Sequence, residues 1–382
     1  MENKFIPYGH QLVDKKDIEE VVKVLKTDWL TQGPKIAEFE EKVAEFCGAK
    51  YGVAVSTGTA ALQIAYAAAG LGKGDEVVTT PLTFAATANC LIFNGAKPVF
   101  ADIEENTLNI NPQEIEKKIS KKTKAIAPVD FAGQPCDYEK IFKIAKKYKL
   151  LVIEDAAHAL GSEYKGKKVG SFADMTILSF HPVKTITAGE GGMVLTNSKD
   201  FYEKLKVLRN HGMVKKPAQG GWYYEIENPS PNFRITDIQC ALGLSQLGKL
   251  SRFIARRRKI VSQYNKAFKD LKEIITPVER DYAKSAWHIY VIQLCLEKLK
   301  ADRKKIFEDL RKEGLGVQVH YMPVHLHPFY RKRFGCKEGD FPKAENYYER
   351  AITLPLFPKM TNQEVLRVIK TVKQIIGKYQ KK

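Results

Sequence analysis

The run Leu150-Leu-Val-Ile-Glu-Asp155-Ala-Ala-His158 carries the clearest fold signal in this chain. Its apolar residues predict a strand that is buried on both faces, as strands are in a parallel sheet covered by helices. The strand ends in the carboxylate of Asp155, and ligands of such sheets bind beyond the carboxyl ends of the strands. Asp155 is therefore a candidate site residue, and His158 follows it within one turn.

Apolar strand patterns and helical patterns alternate on both sides of this run. The alternation predicts an α/β fold with a mostly parallel sheet covered by helices on both faces. Strands are predicted at 52–56, 76–80, 97–101, 124–129, 151–154 and 176–180, and a further strand-like run lies at 193–196. The helices between them are predicted at 60–69, 84–94, 111–120 and 136–147.

The C-terminal part of the chain has a different pattern, in which helices dominate. One long basic helix from 236 through 269 is predicted to connect two domains. Beyond it we predict an α+β unit with strands at 287–296 and 317–321 and helices at 301–312 and 362–378. The predicted organisation is an N-terminal arm (1–15), a large domain (16–250) and a smaller C-terminal α+β domain (251–382).

The chain of 382 residues is 44% hydrophobic, which is enough for a large core. No apolar run reaches about 18 residues, so no transmembrane helix is predicted. The segment that begins at Met1 lacks the apolar core of a signal peptide, and we therefore expect a cytoplasmic protein. The six cysteines are scattered without a CxxC pair, which favours reduced thiols over disulfides or a zinc site.

The formal net charge of +18 suits a nucleic-acid binder or a protein that takes polyanionic small molecules. It equally suits a solvated lysine-rich surface, because much of the charge lies in scattered helical patches such as 117–122 and 143–147. No helix-turn-helix, zinc-finger or RNP motif accompanies the charge. We therefore predict no nucleic-acid partner.

Lys184 lies between a predicted strand and the glycine-rich segment Gly189-Glu-Gly-Gly192. A lysine amine forms a Schiff base with a carbonyl, and a carboxylate can hold a pyridine nitrogen protonated. Lys184 and Asp155 therefore supply the two groups that pyridoxal 5′-phosphate (PLP) requires. Taken singly, Lys184 is just another charged loop residue and Asp155 a helix N-cap, but the pair predicts a PLP site.

The segment Ser56-Thr-Gly-Thr59 follows a predicted strand and precedes a helix. Free N–H groups and the helix dipole at such a point attract a phosphate, although an ordinary helix cap would explain the same residues. Ser179, at the end of another predicted strand, can add a hydroxyl that binds the same phosphate. Phe84 can stack on a pyridine ring or belong to the core, and His158 can support the site or be a satisfied core histidine.

The histidines at 320, 325 and 327 invite comparison with a metal site. No acidic residue lies between them, and their spacing is not that of a known metal motif. We predict no metal, and expect aromatic and imidazole groups that line a polar ligand site.

Together these residues resemble a known family. The motifs Trp29-Leu-Thr-Gln-Gly-Pro34, Ser56-Thr-Gly-Thr59, Glu154-Asp-Ala-Ala-His158, Ser179-x4-Lys184 and Asn232-x-Arg234-x-Thr-Asp237-x-Gln239 occur in the order found in the sugar aminotransferases of the DegT/DnrJ/StrS group. The resemblance runs nearly end to end and implies the fold-type I PLP aminotransferase fold, with a mostly parallel seven-stranded sheet and a smaller C-terminal domain.

The resemblance also implies roles for the cofactor residues. Lys184 would bind the cofactor carbonyl and move the substrate proton, and Asp155 would pair with the pyridine nitrogen. The other implied cofactor residues are Thr57, Gly58, Phe84, His158, Ser179 and Asn232. Asn232 would reach the phosphate in the partner subunit, since this family builds its sites across a homodimer. Branches of the family that are dehydratases carry histidine in place of the lysine, so Lys184 argues for an aminotransferase.

Two further segments, Phe180-His-Pro-Val-Lys184 and 319–330, resemble a subgroup of the family that acts in pseudaminic acid biosynthesis. That likeness implies transfer of an amino group from L-glutamate, through PLP, to C4 of a UDP-4-keto-6-deoxy-N-acetylhexosamine. The product would be UDP-4-amino-4,6-dideoxy-N-acetyl-β-L-altrosamine. The implied substrate-binding residues are Tyr8, Asp28, Trp29, Leu30, Thr31, His181, Gln318, Val319, His320, Tyr321 and His325.

Two alternatives remain open from the sequence. One is an aminotransferase for another nucleotide-linked keto-sugar, either a GDP- or dTDP-4-keto-6-deoxyhexose or a 3-keto sugar. The other is a non-catalytic nucleic-acid-binding α/β protein, which Lys184 and Asp155 disfavour.

Overall fold

A computed structural model describes residues 5–381 of the chain. Its strands are β1 Tyr51–Val55, β2 Glu76–Thr79, β3 Lys97–Phe100, β4 Thr123–Ala127, β5 Leu151–Asp155, β6 Glu163–Tyr164, β7 Lys167–Lys168, β8 Met175–Ser179, β9 Gly192–Thr196, β10 Met213–Lys215, β11 Tyr224–Ile226, β12 Ile274–Ile275, β13 Ala283–Lys284, β14 Tyr290–Leu294 and β15 Ala351–Leu354. Its α-helices are α1 Lys15–Leu25, α2 Pro34–Cys47, α3 Gly58–Ala68, α4 Ala86–Phe93, α5 Pro112–Lys118, α6 Tyr138–Tyr148, α7 Lys199–Arg209, α8 Asp237–Leu247, α9 Leu250–Phe268, α10 Arg303–Lys312, α11 Pro328–Phe334, α12 Pro342–Arg350 and α13 Asn362–Tyr379.

The central sheet has seven strands in the order β1-β9-β8-β5-β4-β2-β3. Neighbours are parallel except that β9 runs antiparallel to both β1 and β8. The predicted mostly parallel seven-stranded sheet is confirmed. Because β9 is antiparallel to both of its neighbours, β1 and β8 run in the same direction. The carboxyl ends of β1, β5 and β8 therefore lie at one edge of the sheet, where ligands of α/β proteins bind.

Alternating residues of the strands build a separate core on each face of this sheet. Val53 of β1 and Ile177 of β8 pack with α3 on one face. Ala54 and Leu178, the next residues along the same strands, pack with α2 and α8 on the other. This double burial explains why the strands are almost entirely apolar, and it fixes which side chains reach the sheet edge.

The C-terminal part contains a three-stranded sheet, β12-β14-β15, that shares a core with α9, α10 and α13. Ile6 joins this core and pairs with Leu315, so the described part of the predicted arm is packed rather than loose. Residues 1–4 of that arm lie outside the described residues. The division into domains at residue 250 stays a prediction.

Two predicted elements are wrong. The helix expected from 236 through 269 is two helices, α8 and α9, which break at Gly248, a residue with low helix propensity. Next to the break, Lys249 places its ammonium 2.6 Å from Asp14 Oδ1 and 2.7 Å from Asp17 Oδ1. The strand expected at 317–321 is reduced to a single bridge between Gln318 and Thr353. The following residues leave the sheet, and β15 is the third strand instead.

Within residues 5–381, the helices are all too short or too polar to cross a lipid bilayer. The six cysteines are free thiols, and Cys336 alone among them is not fully buried.

Candidate active site

A cavity of about 600 Å³ opens at the carboxyl edge of the central sheet. The ends of β1, β5 and β8 form its floor, and the segment 318–321 forms part of a side wall. The structure brings together at this cavity the following predicted site residues: Tyr8, Thr57, Gly58, Phe84, Asp155, His158, Ser179, His181, Lys184, Gln318, Val319, His320 and Tyr321.

The first turn of α3 forms a seat for an anion on the cavity floor. Thr57 caps the helix, with its Oγ1 accepting from the Ala60 N–H at 3.0 Å. Gly58 and Thr59 open the helix, so their N–H groups have no acceptor within it. A Cβ at Gly58 would lie 3.0 Å from Ser179 Cβ and 3.1 Å from Ser179 Oγ, so a larger residue there would push against the Ser179 side chain. Thr57 thus both caps a helix and borders a phosphate-sized seat.

Asp155 ends β5 with its carboxylate buried at the cavity wall. Oδ2 accepts from Thr87 Oγ1 at 2.7 Å, and Oδ1 accepts from the Ala157 N–H at 3.2 Å. Burial raises the pKa of this carboxyl, while the two hydrogen bonds and the charge of Lys184 oppose the rise. A desolvated carboxylate gains from a further N–H donor, and a pyridinium N–H is such a donor.

Lys184 is partly exposed to the cavity, yet the surrounding protein removes enough water to lower its pKa to about 8. The charge of Asp155 works against this shift. Its ammonium has no hydrogen-bond or ion-pair partner in the part of the chain that the structure describes. A lysine in this state is available as a nucleophile and as a base near neutral pH.

His158 contacts two other residues of the cavity wall, Tyr321 and His288. Its Nε2 lies 3.2 Å from the Tyr321 hydroxyl, and its ring centroid lies 4.3 Å from that of His288. Burial, with smaller contributions from Lys184 and His320, holds its pKa well below the usual range, so the imidazole is neutral. Its Nδ1 is buried without a partner among residues 5–381.

The other wall is aromatic. Phe84 is 60% exposed at the rim, with its ring centroid 6.0 Å from that of Tyr321. The rings of Tyr8 and His320 lie 5.3 Å apart, and His320 Nδ1 is 2.8 Å from Thr353 Oγ1. Burial lowers the pKa of His320 to about 4, so this wall is uncharged at neutral pH. Such a surface suits flat rings and sugar hydroxyls rather than a metal ion.

The predicted residues Asp28, Trp29, Leu30, Thr31 and Asn232 do not line the cavity of this chain. The turn that contains the first four is exposed and is fixed to α8, because Asp237 accepts from the N–H groups of Gly33 and Lys35.

Asn232 is also exposed, in a loop that touches the anion seat, since the Phe233 carbonyl accepts from the Ser56 N–H at 2.8 Å. The predicted contact of Asn232 with the cofactor phosphate of a second subunit stays a prediction, as do the predicted contacts of the 28–31 turn with the substrate.

His325 is placed differently from its prediction. It is completely buried outside the cavity, with Nε2 2.9 Å from Glu345 Oε1 and its ring against Phe341. The structure corrects its predicted substrate role to a packing role, because a side chain enclosed by α12 cannot reach the cavity.

Among the lining residues that were not predicted as site residues are Thr87, Phe131 and His288. Thr87 lies in the first turn of α4, three residues after Phe84. A search for hydroxyls that follow predicted strand ends could therefore have found it. His288 gave no local signal, because its position beside His158 depends on contacts between distant parts of the chain.

Comparison with known families matches residues 11–373 to the DegT/DnrJ/EryC1/StrS aminotransferase family. The chain belongs to this family. Its sequence is 45% identical over 380 residues to the spore coat polysaccharide biosynthesis protein SpsC of Bacillus subtilis, covering 98% of each chain. It is 42% identical over 379 residues to the UDP-4-amino-4,6-dideoxy-N-acetyl-β-L-altrosamine transaminase of Campylobacter jejuni, covering 98% of this chain and 99% of the relative.

Solved structures of family members agree with this placement. PseC from Helicobacter pylori, an aminotransferase involved in pseudaminic acid biosynthesis, superposes with a TM-score of 0.92 at 36% identity, over 98% of this chain and 100% of PseC. The protein Spr1654 from Streptococcus pneumoniae, in its PLP-form, gives a TM-score of 0.92 at 32% identity, over 98% and 99% of the two chains. The chain is therefore a PLP-dependent sugar aminotransferase, and the fold-type I prediction is confirmed.

The residues of the cavity fit this cofactor. The anion seat suits the phosphate, the buried carboxylate of Asp155 suits the ring nitrogen, and the unpaired amine of Lys184 suits the carbonyl. The orphaned Nδ1 of His158 supplies one further polar group.

Proposed function

We propose that this aminotransferase moves the amino group of L-glutamate to C4 of a UDP-4-keto-6-deoxy-N-acetylhexosamine and gives UDP-4-amino-4,6-dideoxy-N-acetyl-β-L-altrosamine. The observation that carries the proposal is the end-to-end likeness to the transaminase of that name, at 42% identity over 379 residues. The similarity to PseC, named for pseudaminic acid biosynthesis, supports the same substrate.

The proposed division of labour follows from the geometry of the cavity. PLP, when bound, supplies the electron sink that stabilises negative charge at the reacting carbon. Lys184, with its pKa lowered to about 8, would take the proton from that carbon as a base and deliver it again as an acid. Asp155 keeps the ring nitrogen protonated, and the seat formed by Thr57, Gly58 and Ser179 holds the phosphate.

Two further residues would hold the cofactor ring in place. Phe84 would cover one face of the ring, because it is exposed at the rim of the cavity. His158 would contact the cofactor from the cavity wall that it lines.

The substrate would lie against the aromatic wall. Tyr8, Gln318 and His320 present ring faces and hydrogen-bonding groups to the cavity, and His181 lies exposed at its mouth near Glu190. Aromatic rings can stack on a uracil. A neutral imidazole has one N–H donor and one acceptor nitrogen, and both can bind sugar hydroxyls. The lowered pKa of His320 keeps it in that neutral state.

We also propose a homodimer with shared sites. In this arrangement Asn232 reaches the cofactor phosphate of the partner subunit, and the 28–31 turn approaches the partner's sugar. The exposure of the neighbouring apolar side chains of Trp29 and Leu30 outside their own cavity supports the arrangement, since adjoining exposed apolar side chains mark interaction surfaces. The cytoplasmic location stays a prediction.

A second substrate class is favoured by one observation. SpsC, 45% identical, is named for the synthesis of a spore coat polysaccharide rather than for pseudaminic acid. An amino sugar on another nucleotide, made from a GDP- or dTDP-4-keto-6-deoxyhexose or a 3-keto sugar, is therefore the alternative.

The experiment that separates these functions is a spectroscopic substrate panel. The purified protein is loaded with PLP, its visible absorbance is bleached with L-glutamate, and UDP-, GDP- and dTDP-keto-sugars are then added one at a time. Recovery of the absorbance only with the UDP-4-keto-6-deoxy-N-acetylhexosamine is the expected result. Recovery with a GDP or dTDP sugar would assign the alternative, and no bleaching by glutamate would contradict the proposed donor.

A further inference from the structure

Three consecutive arginines of α9 hold three different segments of the C-terminal part. Arg256 donates to the Met360 carbonyl at 2.6 Å and to Asn362 Oδ1 at 3.0 Å. Arg258 pairs with Glu279 and donates to the Ser285 carbonyl at 2.8 Å. Arg257, between them, faces the active-site side, so the three side chains have separate tasks although they are adjacent in sequence.

Arg257 is a buried cation that binds only backbone carbonyls. It is 1% exposed, and its Nη1 lies 2.9 Å from the His288 carbonyl, 2.9 Å from the Leu356 carbonyl and 3.3 Å from the Trp287 carbonyl. Within residues 5–381 no carboxylate pairs with it. Burial lowers its pKa to about 10, so it remains charged at neutral pH. A buried charge without a counter-ion depends on these carbonyls, and they are held firmly in return.

The segment that Arg257 holds has an unusual backbone. Trp287 has a φ of +52°, a left-handed conformation that a bulky residue adopts only when its surroundings impose it. The Trp287 N–H donates to Ser285 Oγ at 3.0 Å, and the His288 N–H donates to the Ala132 carbonyl at 3.0 Å. With Arg257 on both carbonyls, every backbone polar group of the two residues is bound. This conformation directs the side chain of His288 to the cavity.

His288 in turn supports His158. The two ring centroids are 4.3 Å apart, and both rings line the cavity. The Nδ1 atom of each is buried without a partner in the described chain, so neither ring is fixed by hydrogen bonds on that side. His158 is thus oriented by the Tyr321 hydroxyl at Nε2 and by the tilted ring of His288.

We propose that Arg257 is a positioning residue for the cofactor site, because it holds the Trp287-His288 backbone so that His288 keeps the His158 ring in its place at the cavity wall. This inference rests on the proposed contact of His158 with PLP. It assigns a task in the site to two residues, Arg257 and His288, neither of which lies in a cofactor motif.

The test measures the dissociation constant of PLP for the apoprotein, by absorbance titration, with thermal unfolding as a check on folding. Arg257→Met is expected to weaken PLP binding about tenfold, as removal of a group that orients a ligand residue does. Arg256→Met is the matched control, because it also loses a backbone carbonyl contact but does not touch the cavity wall. It should lower the melting temperature without changing PLP affinity. Equal losses of affinity in both variants would overturn the proposal.

His288→Ala provides the second route, also if Arg257→Met does not fold. It should weaken PLP binding to a similar extent, and His288→Phe, which retains a flat ring, should largely restore it. In the double variant the two losses should not add, because both act through the same ring. Additive losses, or normal binding by His288→Ala, would contradict the proposal.

His158→Ala separates this inference from the function on which it rests. Normal PLP affinity in that variant would remove the proposed contact of His158 itself. Weakened affinity in His158→Ala together with normal affinity in Arg257→Met and His288→Ala would remove only the positioning role.

Discussion

At the scale of single residues, the site depends on how the fold changes two ordinary side chains. Lys184 and Asp155 are recognisable in the sequence by type and order. The shifts in their pKa values cannot be recognised in the sequence. The pKa of Lys184 is lowered and that of Asp155 is raised mainly by burial, which depends on the folded structure. Thr87, which donates to Asp155 at 2.7 Å, shows how a hydrogen bond helps to hold such a buried carboxylate in place.

The pKa of Lys184 predicts how the apoprotein takes up PLP. Only the neutral amine attacks a carbonyl, and the folded pKa of about 8 lies below the usual value. The rate of PLP uptake should therefore rise with pH through about 8 and level off above it, whereas an exposed lysine would give a rise that continues to about pH 10.4. Stopped-flow absorbance of apoprotein mixed with PLP measures this rate, with Lys184→Ala as the control that shows no covalent uptake.

The same shift has a consequence for the stability of the apoprotein. The folded pKa is below the unfolded one, so the unfolded state binds more protons between the two values, and stability increases as pH rises from about 8 towards 10.5. Below about 8 the full cost of the buried ammonium is present. Lys184→Met should therefore be more stable than the unsubstituted apoprotein at pH 7, and equal melting temperatures at that pH would contradict the shift.

At the scale of elements, the first turn of α3 makes the most specific prediction. Gly58→Ala favours the helix but places a Cβ 3.0 Å from Ser179 Cβ, so the Ser179 side chain that is proposed to hold the phosphate must shift. We expect PLP affinity to fall about tenfold, the effect of weakening one hydrogen bond to a charged group. Gly377→Ala in α13 is the control, because a Cβ there meets nothing within 4 Å. It should leave PLP affinity unchanged, and a titration that finds the two variants alike would contradict a phosphate seat at α3.

The central strands could be predicted because burial on both faces makes each one a short apolar run between helices. The segment 317–321 shows where this reasoning fails. It has the composition of a strand, but Gln318 is its single residue that pairs with β15, at Thr353. The residues that follow line the cavity wall instead of continuing along the sheet. The helix break at Gly248 was missed, although the basic residues of 236–269 begin only after it, at Lys249.

The candidate site also contains residues that the sequence could predict and residues that it could not. Thr57, Asp155, Ser179 and Lys184 lie at strand ends or just beyond them, where sequence order and strand direction predict a common edge. His288 could not be found by that argument, because Arg257 and Ala132 bring it to the cavity from outside the sheet.

At the scale of the whole molecule, the proposed shared site can be tested with hybrid dimers. Lys184→Ala and Asn232→Asp subunits are co-expressed with different affinity tags and purified through both. If Asn232 acts on the partner's cofactor, one site of the hybrid carries both defects and the other carries none, which gives about half of the wild-type activity. Each variant homodimer should be nearly inactive.

A hybrid of Lys184→Ala with the unsubstituted chain is the positive control for this experiment, since it also keeps one intact site. A Lys184→Ala/Asn232→Asp hybrid no more active than its parents would place Asn232 at the site of its own subunit.

The reversal of β9 in the central sheet has a consequence for folding. Ser179 and Gly192 are neighbours across β8 and β9, and Lys184 lies in the connection between them, so this part of the site needs only a short loop to close. The pairing of Tyr51 with Thr196, which brings the anion seat of α3 alongside, joins residues far apart in the chain. Local contacts form sooner than distant ones. We therefore expect the lysine loop to form early and the cavity to be completed only when β1 adds to the edge of the sheet, so that PLP is captured late in folding.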